Sequence, residues 1–93
     1  MNDDRGQAQP SPLQFPTDFP IKVMGERVDH FAHTVVTIVR KHAPDFDPAT
    51  IELRASKEAK YLSVTATVRA TSREQLDALY LELTSDPLVK VVL

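Results

Sequence analysis

The order in which apolar residues change their spacing along this 93-residue chain limits its architecture more than any motif does. Alternation of apolar and polar residues indicates a strand with one covered face, whereas apolar residues three and four apart indicate a helix with one buried side. Alternation occurs at residues 19–25, 50–56, 61–70 and 87–93. The helical spacing occurs at 27–42 and 72–84. The predicted order of elements is therefore β-α-β-β-α-β.

This order is typical of the ferredoxin-like plan. We predict an α+β two-layer sandwich with an antiparallel sheet in strand order 4-1-3-2, two helices on one face and the other face open. The domain is expected at residues 18–93. Residues 1–17 are rich in Pro, Gln and Asp and predict a mobile tail, with Leu13 and Phe15 as possible docking points.

The alternation also assigns side chains to the core. Both predicted edge strands have inward-pointing residues. They are Ile51, Leu53 and Ala55 in the second strand and Val89, Val91 and Leu93 in the fourth. The first helix is expected to bury Val28, Phe31, Val35, Ile38, Val39 and His42, and the second Leu76, Leu79, Tyr80 and Leu83. Thr71 with Glu74, or Ser72 with Gln75, could form a capping box for the second helix.

Composition excludes several classes of protein. The chain has no cysteine, which rules out disulfides and thiolate metal sites. It contains neither an apolar run long enough to span a membrane nor an apolar N-terminal stretch, so a cytoplasmic location is expected. The net charge of −2 is unusual for a dedicated nucleic-acid binder.

Three groups of residues could suggest chemistry. His30 and His33 share a helix face beside Asp29, but a further ligand for zinc is not evident. Arg27 near a helix start is similar to the phosphate-binding Arg of acylphosphatases, yet the only Asn is Asn2 and Glu26 would repel phosphate. His42 is expected to be a packed histidine that caps a backbone carbonyl. We therefore predict no catalytic residues, no metal, no cofactor and no enzymatic activity.

The open face of the predicted sheet is the strongest candidate for function. It is expected to present a surface in which four cations face one carboxylate, which would attract an anionic partner. Its predicted members are Lys22, Met24, Glu52, Arg54, Tyr61, Ser63, Thr65, Thr67, Arg69, Lys90 and Val92. Tyr61 alone does not provide the stacked aromatic platform that RNA-recognition motifs use.

Several segments resemble the YbeD family of small uncharacterised bacterial proteins. They are FPTDFP at 15–20, KVMG at 22–25, HAP at 42–44, YLSVT at 61–65, EQ at 74–75, LY at 79–80 and VKVVL at 89–93. The chain departs from the family where a Gly is expected in the loop between strands two and three, because Glu58-Ala59-Lys60 stand there. The resemblance implies a ferredoxin-like fold similar to ACT-type regulatory domains and no established activity.

The ACT-like interpretation places a small ligand or a second subunit at the turn of Gly25, Glu26 and Arg27. Gly25 is expected to end the first strand, where the turn could require a positive φ. The predicted function is a non-enzymatic regulatory or interaction module that binds a small ligand or a protein partner and could form a homodimer. The alternative is a nucleic-acid-binding module that uses the basic open face.

Overall fold

The computed structural model describes residues 13–56, 58 and 60–93. Its elements follow the predicted order, with a short 3₁₀ turn at Pro48–Thr50 before the second strand. The strands are β1 (Thr17–Glu26), β2 (Glu52–Ala55), β3 (Tyr61–Ala70) and β4 (Val89–Val92). The helices are α1 (Phe31–His42) and α2 (Arg73–Ser85).

The four strands form one antiparallel sheet in the order β2-β3-β1-β4, which confirms the predicted topology. β1 lies at the centre of the sheet because it pairs along its whole length with β3 and at its C-terminal end with β4. Val23 therefore has Val64 on one side and Val92 on the other. The strands with the strongest alternation, β1 and β3, are the two inner strands.

The core lies between the sheet and the two helices. Ile21, Val23, Val64 and Val68 from the inner strands are no more than 1% exposed. The helices cover them with Phe31, Val35, Ile38, Val39, Leu76, Leu79 and Leu83. All of these residues stand at the apolar positions of the sequence pattern, so burial of one face per element accounts for the two layers.

The first helix begins later than its apolar spacing suggests. Arg27 donates its backbone N–H to the carbonyl of Lys60 at 3.0 Å, and Val28 donates to Glu26 at 2.9 Å, so residues 27–30 form a turn instead of a helix. Val28 still packs against the core. Val28 thus continues the apolar spacing of the helix although it lies in the turn before it, which is why the sequence pattern predicts too early a start.

One of the two predicted capping arrangements is formed at the start of α2. The Ser72 hydroxyl accepts a hydrogen bond from the Gln75 backbone N–H at 3.0 Å, while the Gln75 side-chain oxygen accepts from the Thr71 N–H at 2.6 Å. The Gln75 side-chain nitrogen also donates to the carbonyl of His42 at 2.9 Å. This side chain therefore joins the end of α1 to the start of α2.

The predicted burial of the second strand is right for Ile51, which packs against the core, and wrong for Leu53 and Ala55, although the alternation is right. Leu53 pairs with the buried Val64 and so lies on the helix side of the sheet, yet it is 55% exposed. Ala55 is exposed as well. The helices pack over β1, β3 and β4, so this edge strand extends beyond the layer that covers the core.

The described residues before the sheet begin at Leu13. β1 begins at Thr17, and Phe15 packs against the core, as one of the two expected docking points would. Leu13 is 41% exposed. Residues 1–12, which make up most of the predicted tail, lie outside the described residues.

Candidate interaction surface on the open sheet face

The sheet face that points away from the helices carries a group of exposed or half-buried apolar side chains, which we call the apolar strip. It consists of Met24 on β1, Tyr61 on β3, and Val91 and Leu93 at the C-terminal end of the chain. Tyr61, Val91 and Leu93 are 45%, 44% and 64% exposed. Met24, Tyr61 and Leu93 line one shallow depression of about 180 Å³, and Met24, Tyr61 and Val91 line the adjoining one.

Val91 and Leu93 reach this face because β4 is irregular. The register of β4 against β1 shifts between Met24 and Gly25, where Val89 pairs with Gly25 but Val91 pairs with Met24. Such a bulge places an extra residue, here Lys90, in one strand and breaks the strict alternation. The prediction that Val91 and Leu93 point inward and Val92 outward is therefore wrong: Val92 packs against the core instead.

Gly25 lies beside this register shift, where β1 passes close to Leu88 and Phe31. A Cβ on Gly25 would come within 2.3 Å of the Leu88 carbonyl oxygen and 2.4 Å of the Phe31 ring. Its φ is not in the left-handed region, so the expected need for a positive φ is not what selects glycine here. Close approach of Leu88 and Phe31 is the physical reason, and a glycine within a strand is the sequence signal that could have indicated the bulge.

Two cations, Lys22 and Arg54, lie beside the apolar strip. Both line the 180 Å³ depression together with Met24 and Tyr61. Within the part of the chain that the structure describes, neither has a carboxylate oxygen within 4.0 Å. The depression is therefore apolar at its centre and cationic at its side.

The other two predicted cations of this face are paired. Arg69 contacts the Asp18 carboxylate at 3.1 Å, and Lys90 lies 3.5 Å from the carboxylate of Glu26. Asp18 and Glu26 share the open face with Lys22 because all three stand at alternate positions of β1. The expected excess of four cations over one carboxylate is thus wrong, since three carboxylates, including Glu52, lie on the face.

The remaining predicted members of the face form its polar part. Thr65 pairs with Lys22 on one side and Glu52 on the other, so the three side chains make a row across the sheet. Thr67 is exposed beyond them, opposite Pro20. The open face therefore divides into a polar half around Thr65 and an apolar half around Tyr61.

The residues predicted to hold a small ligand are only partly brought together. Gly25 and Glu26 belong to β1, and Gly25 is buried beneath Phe31 and Leu88. Glu26 and Arg27 line a separate surface depression with Lys60 and Tyr61. Arg27 precedes the first residue of α1 by four positions, so it lies before the helix and not in its first turn.

His42 contacts a carboxylate, which differs from the backbone carbonyl that the sequence suggests. Its Nε2 lies 2.8 Å from Glu82 Oε1, while Lys41 donates to the other oxygen of the same carboxylate at 2.6 Å. These hydrogen bonds, first from Lys41 and then from His42, hold the pKa of Glu82 below its ordinary value of 4.5. The cluster joins α1 to α2 and lies apart from the open face.

Replacing Glu82 with glutamine is expected to lower the melting temperature slightly at pH 7, by no more than a few degrees, because the cluster is largely on the surface. A carboxylate with a lowered pKa stabilises the fold above its unfolded-state pKa, and this contribution is lost as the pH falls through the folded-state pKa. The melting temperatures of both proteins should therefore converge as the pH falls below 4.5, the ordinary pKa of this carboxyl. A difference that stays constant as the pH falls would contradict the assignment.

The predicted absence of a metal centre remains an expectation. Among residues 13–56, 58 and 60–93, no three His, Asp or Glu side chains are grouped closely enough to hold a metal ion. His30 and His33 are exposed at the start of α1. In the same part of the chain, neither helix has the length and apolar character needed to cross a bilayer.

Comparison with known proteins places the chain in a family. Residues 10–93 match the family model described as "Protein of unknown function (DUF493)". This chain belongs to the DUF493 family. Similar curated DUF493 relatives include a UPF0250 protein of Ralstonia nicotianae, 54% identical over 87% of this chain and 84% of the relative, and one of Bordetella pertussis, 53% identical over 87% and 89%.

Solved structures share the fold of this DUF493 protein. The solution structure of protein HP0495 from H. pylori has a TM-score of 0.76 at 13% identity and covers 100% of this chain and 98% of that one. The crystal structure of the ACT domain from the GTP pyrophosphokinase of Chlorobium tepidum has a TM-score of 0.62 at 22% identity, covering 83% and 97%. These likenesses confirm the ACT-like, ferredoxin-like architecture expected from the sequence.

Proposed function

We propose that this DUF493 protein is a non-enzymatic interaction module that binds a segment of a protein partner on its open sheet face. The observation that carries the proposal is the apolar strip, which the two helices leave uncovered. The ACT-like fold, typical of regulatory domains, supports the same class of function. The partner segment would carry apolar side chains for the strip and acidic side chains for Lys22 and Arg54.

The composition of the face favours a protein over other ligands. Exposed apolar side chains gathered in one place are typical of a protein interface, and an aromatic residue such as Tyr61 often contributes much of the binding energy. Lys22 and Arg54 select for negative charge and speed the encounter with an acidic partner. The described residues that line the 180 Å³ depression include neither an imidazole nor a carboxylate that could act as a general base, which supports a role in binding.

The nucleic-acid alternative is less well supported by the same surface. A polyanion needs a run of cations to follow its backbone, whereas Arg69 and Lys90 are engaged by Asp18 and Glu26. Small-ligand binding near Gly25, Glu26 and Arg27 is a second alternative. Both alternatives become outcomes of the experiment below.

The test is selection of peptides from a random display library on the immobilised protein, followed by fluorescence anisotropy with the selected peptides. We expect sequences that combine Asp or Glu with apolar residues. Lys22→Glu should weaken their binding at least about fivefold by placing a like charge on the face. Tyr61→Ala should weaken it about tenfold or more by removing the aromatic ring. Melting temperatures should stay nearly unchanged.

Two controls make the result specific. Arg40→Glu makes the same change of charge on an exposed position of α1, in the other layer of the sandwich, and should leave binding intact. Amide shifts on titration should concentrate at Met24, Ser63 and Leu93. Shifts confined to Glu26 and Arg27 would contradict the open-face site, and binding of single-stranded RNA in preference to every peptide would favour the nucleic-acid alternative.

A further inference from the structure

The β2 edge of the sheet has the features of a pairing surface. Among the described residues, β2 pairs with β3 alone and forms one border of the sheet. The Ser56 N–H donates to the Tyr61 carbonyl at 2.9 Å. In an antiparallel pair, the backbone groups of every second residue point to the same neighbour, so those of Arg54 and Glu52 also point toward β3. Because these positions alternate, the backbone N–H and C=O groups of Leu53 and Ala55 point away from β3, toward the free edge.

Leu53 adds an exposed apolar side chain to this edge. It lies on the helix side of the sheet opposite the fully buried Val64, but 55% of it is exposed. An apolar residue on a free edge with unpaired backbone groups favours addition of another strand. The structure thus offers both the backbone and the side chain that strand addition requires.

The charges beside Leu53 identify the strand that fits. If two β2 strands pair antiparallel with their Leu53 residues opposite each other, Glu52 of each copy faces Arg54 of the other. The pairing creates two cross-strand ion pairs on the open face, and opposite charges at such positions stabilise a sheet. Within the described part of one chain, Glu52 and Arg54 have no ion-pair partner within 4.0 Å.

From this self-complementarity we propose that two copies of the protein associate through β2 and join their sheets into one. The arrangement has twofold symmetry, in which the same surface of each copy contacts the other. The proposal is argued from the edge of the sheet and not from the function proposed for its face, although Arg54 belongs to both surfaces.

Neighbouring registers are disfavoured by the same side chains. If the twofold axis moves by one residue along β2, Glu52 faces Glu52 of the second copy, or Arg54 faces Arg54. Like charges directly opposite each other destabilise a sheet. If the axis moves by half a residue, each open-face residue of one strand is paired with a helix-side residue of the other. The helices of the two copies would then lie on opposite sides of the joined sheet. The register centred on Leu53 is therefore the one that the charges select.

The expected dimer is weak. A strand of four residues buries much less surface than the roughly 1,200 Å² found at the lower end of stable protein interfaces. Association should therefore depend on concentration over the micromolar to millimolar range. A single change of charge can therefore alter the dissociation constant of such a weak dimer strongly.

Charge exchange tests the proposal. Sedimentation equilibrium of the full chain should show dimers whose dissociation constant rises by about tenfold or more for Glu52→Arg or Arg54→Glu alone, because each substitution opposes like charges twice. The double exchange, Glu52→Arg with Arg54→Glu, should restore wild-type association. An equimolar mixture of the two single variants should form heterodimers, although each variant alone is mainly monomeric.

Folding and specificity are checked in the same experiment. β2 is exposed, so all three variants should melt near the wild-type temperature, and Arg40→Glu should dimerise like wild type. The Leu53 amide should exchange with solvent faster in the single variants than in the wild type or the double exchange. A wild-type protein that stays monomeric at millimolar concentration, or a dimer that persists in both single variants, would overturn the proposal.

Discussion

Replacing Val64 with aspartate is expected to leave the protein unfolded at 25 °C. Val64 is 0% exposed in the middle of β3, and its neighbours across the sheet are Val23 and Leu53. A carboxylate there would lose its water without gaining a cation, which costs about 5 kcal/mol or more. A domain of this length has a free energy of unfolding of about 5–10 kcal/mol.

Far-UV circular dichroism and the dispersion of the amide spectrum measure the outcome. Thr67→Asp is the matched control, because Thr67 is an exposed residue on the open face of the same strand, opposite Pro20, and its new charge stays in water. That variant should melt within a few degrees of the wild type. A cooperative, near-native melt for Val64→Asp would show that the orientation of β3 is wrong.

Gly25→Ala is expected to have the second largest effect. Its methyl group would lie 2.3 Å from the Leu88 carbonyl oxygen and 2.4 and 2.6 Å from two carbons of the Phe31 ring. A backbone carbonyl in a strand connection moves less readily than a flexible side chain, so the sheet must deform. We expect a loss of about 3 kcal/mol, which lowers the melting temperature by about 15 °C in a domain of this size.

The two contacts can be separated by a second substitution. Phe31→Leu removes the aromatic ring and should relieve the contact on that side, while the Leu88 carbonyl oxygen stays in place. Gly25→Ala should therefore remain destabilising in the Phe31→Leu background, by a smaller amount than in the wild type. Unchanged stability of Gly25→Ala would refute the role assigned to this residue.

Much of the fold could be predicted from the sequence because burial imposes a period on it. β1 and β3 lie in the centre of the sheet, where one face is covered along the whole strand, and their alternation gave the correct orientation. The apolar spacing of α2 likewise identified Leu76, Leu79 and Leu83. The apolar periodicity does not predict burial at the edge of the sheet, where the helices no longer cover the strand. Leu53 therefore stands at the expected position of the alternation without being buried.

The candidate site was harder to predict because it depends on pairing between distant segments. A bulge of one residue at Lys90 reverses the predicted orientation of Val91 and Val92. Because Val91, Val92 and Leu93 are all apolar, their sequence fits either orientation. The ion pair of Asp18 with Arg69 joins residues 51 positions apart and follows from the register of β1 against β3. A sequence pattern specifies neither register nor bulge by itself.

The apolar strip has a thermodynamic consequence. Met24, Tyr61 and Leu93 come from three separate parts of the chain and become neighbours only when the whole sheet has formed. A partner that recognises them together has no equivalent site on the unfolded chain. Each tenfold excess of free partner over its dissociation constant would therefore add about 1.4 kcal/mol to the free energy of unfolding. Such a partner protects the chain from proteolysis, so the steady-state amount of this protein would follow the supply of its partner.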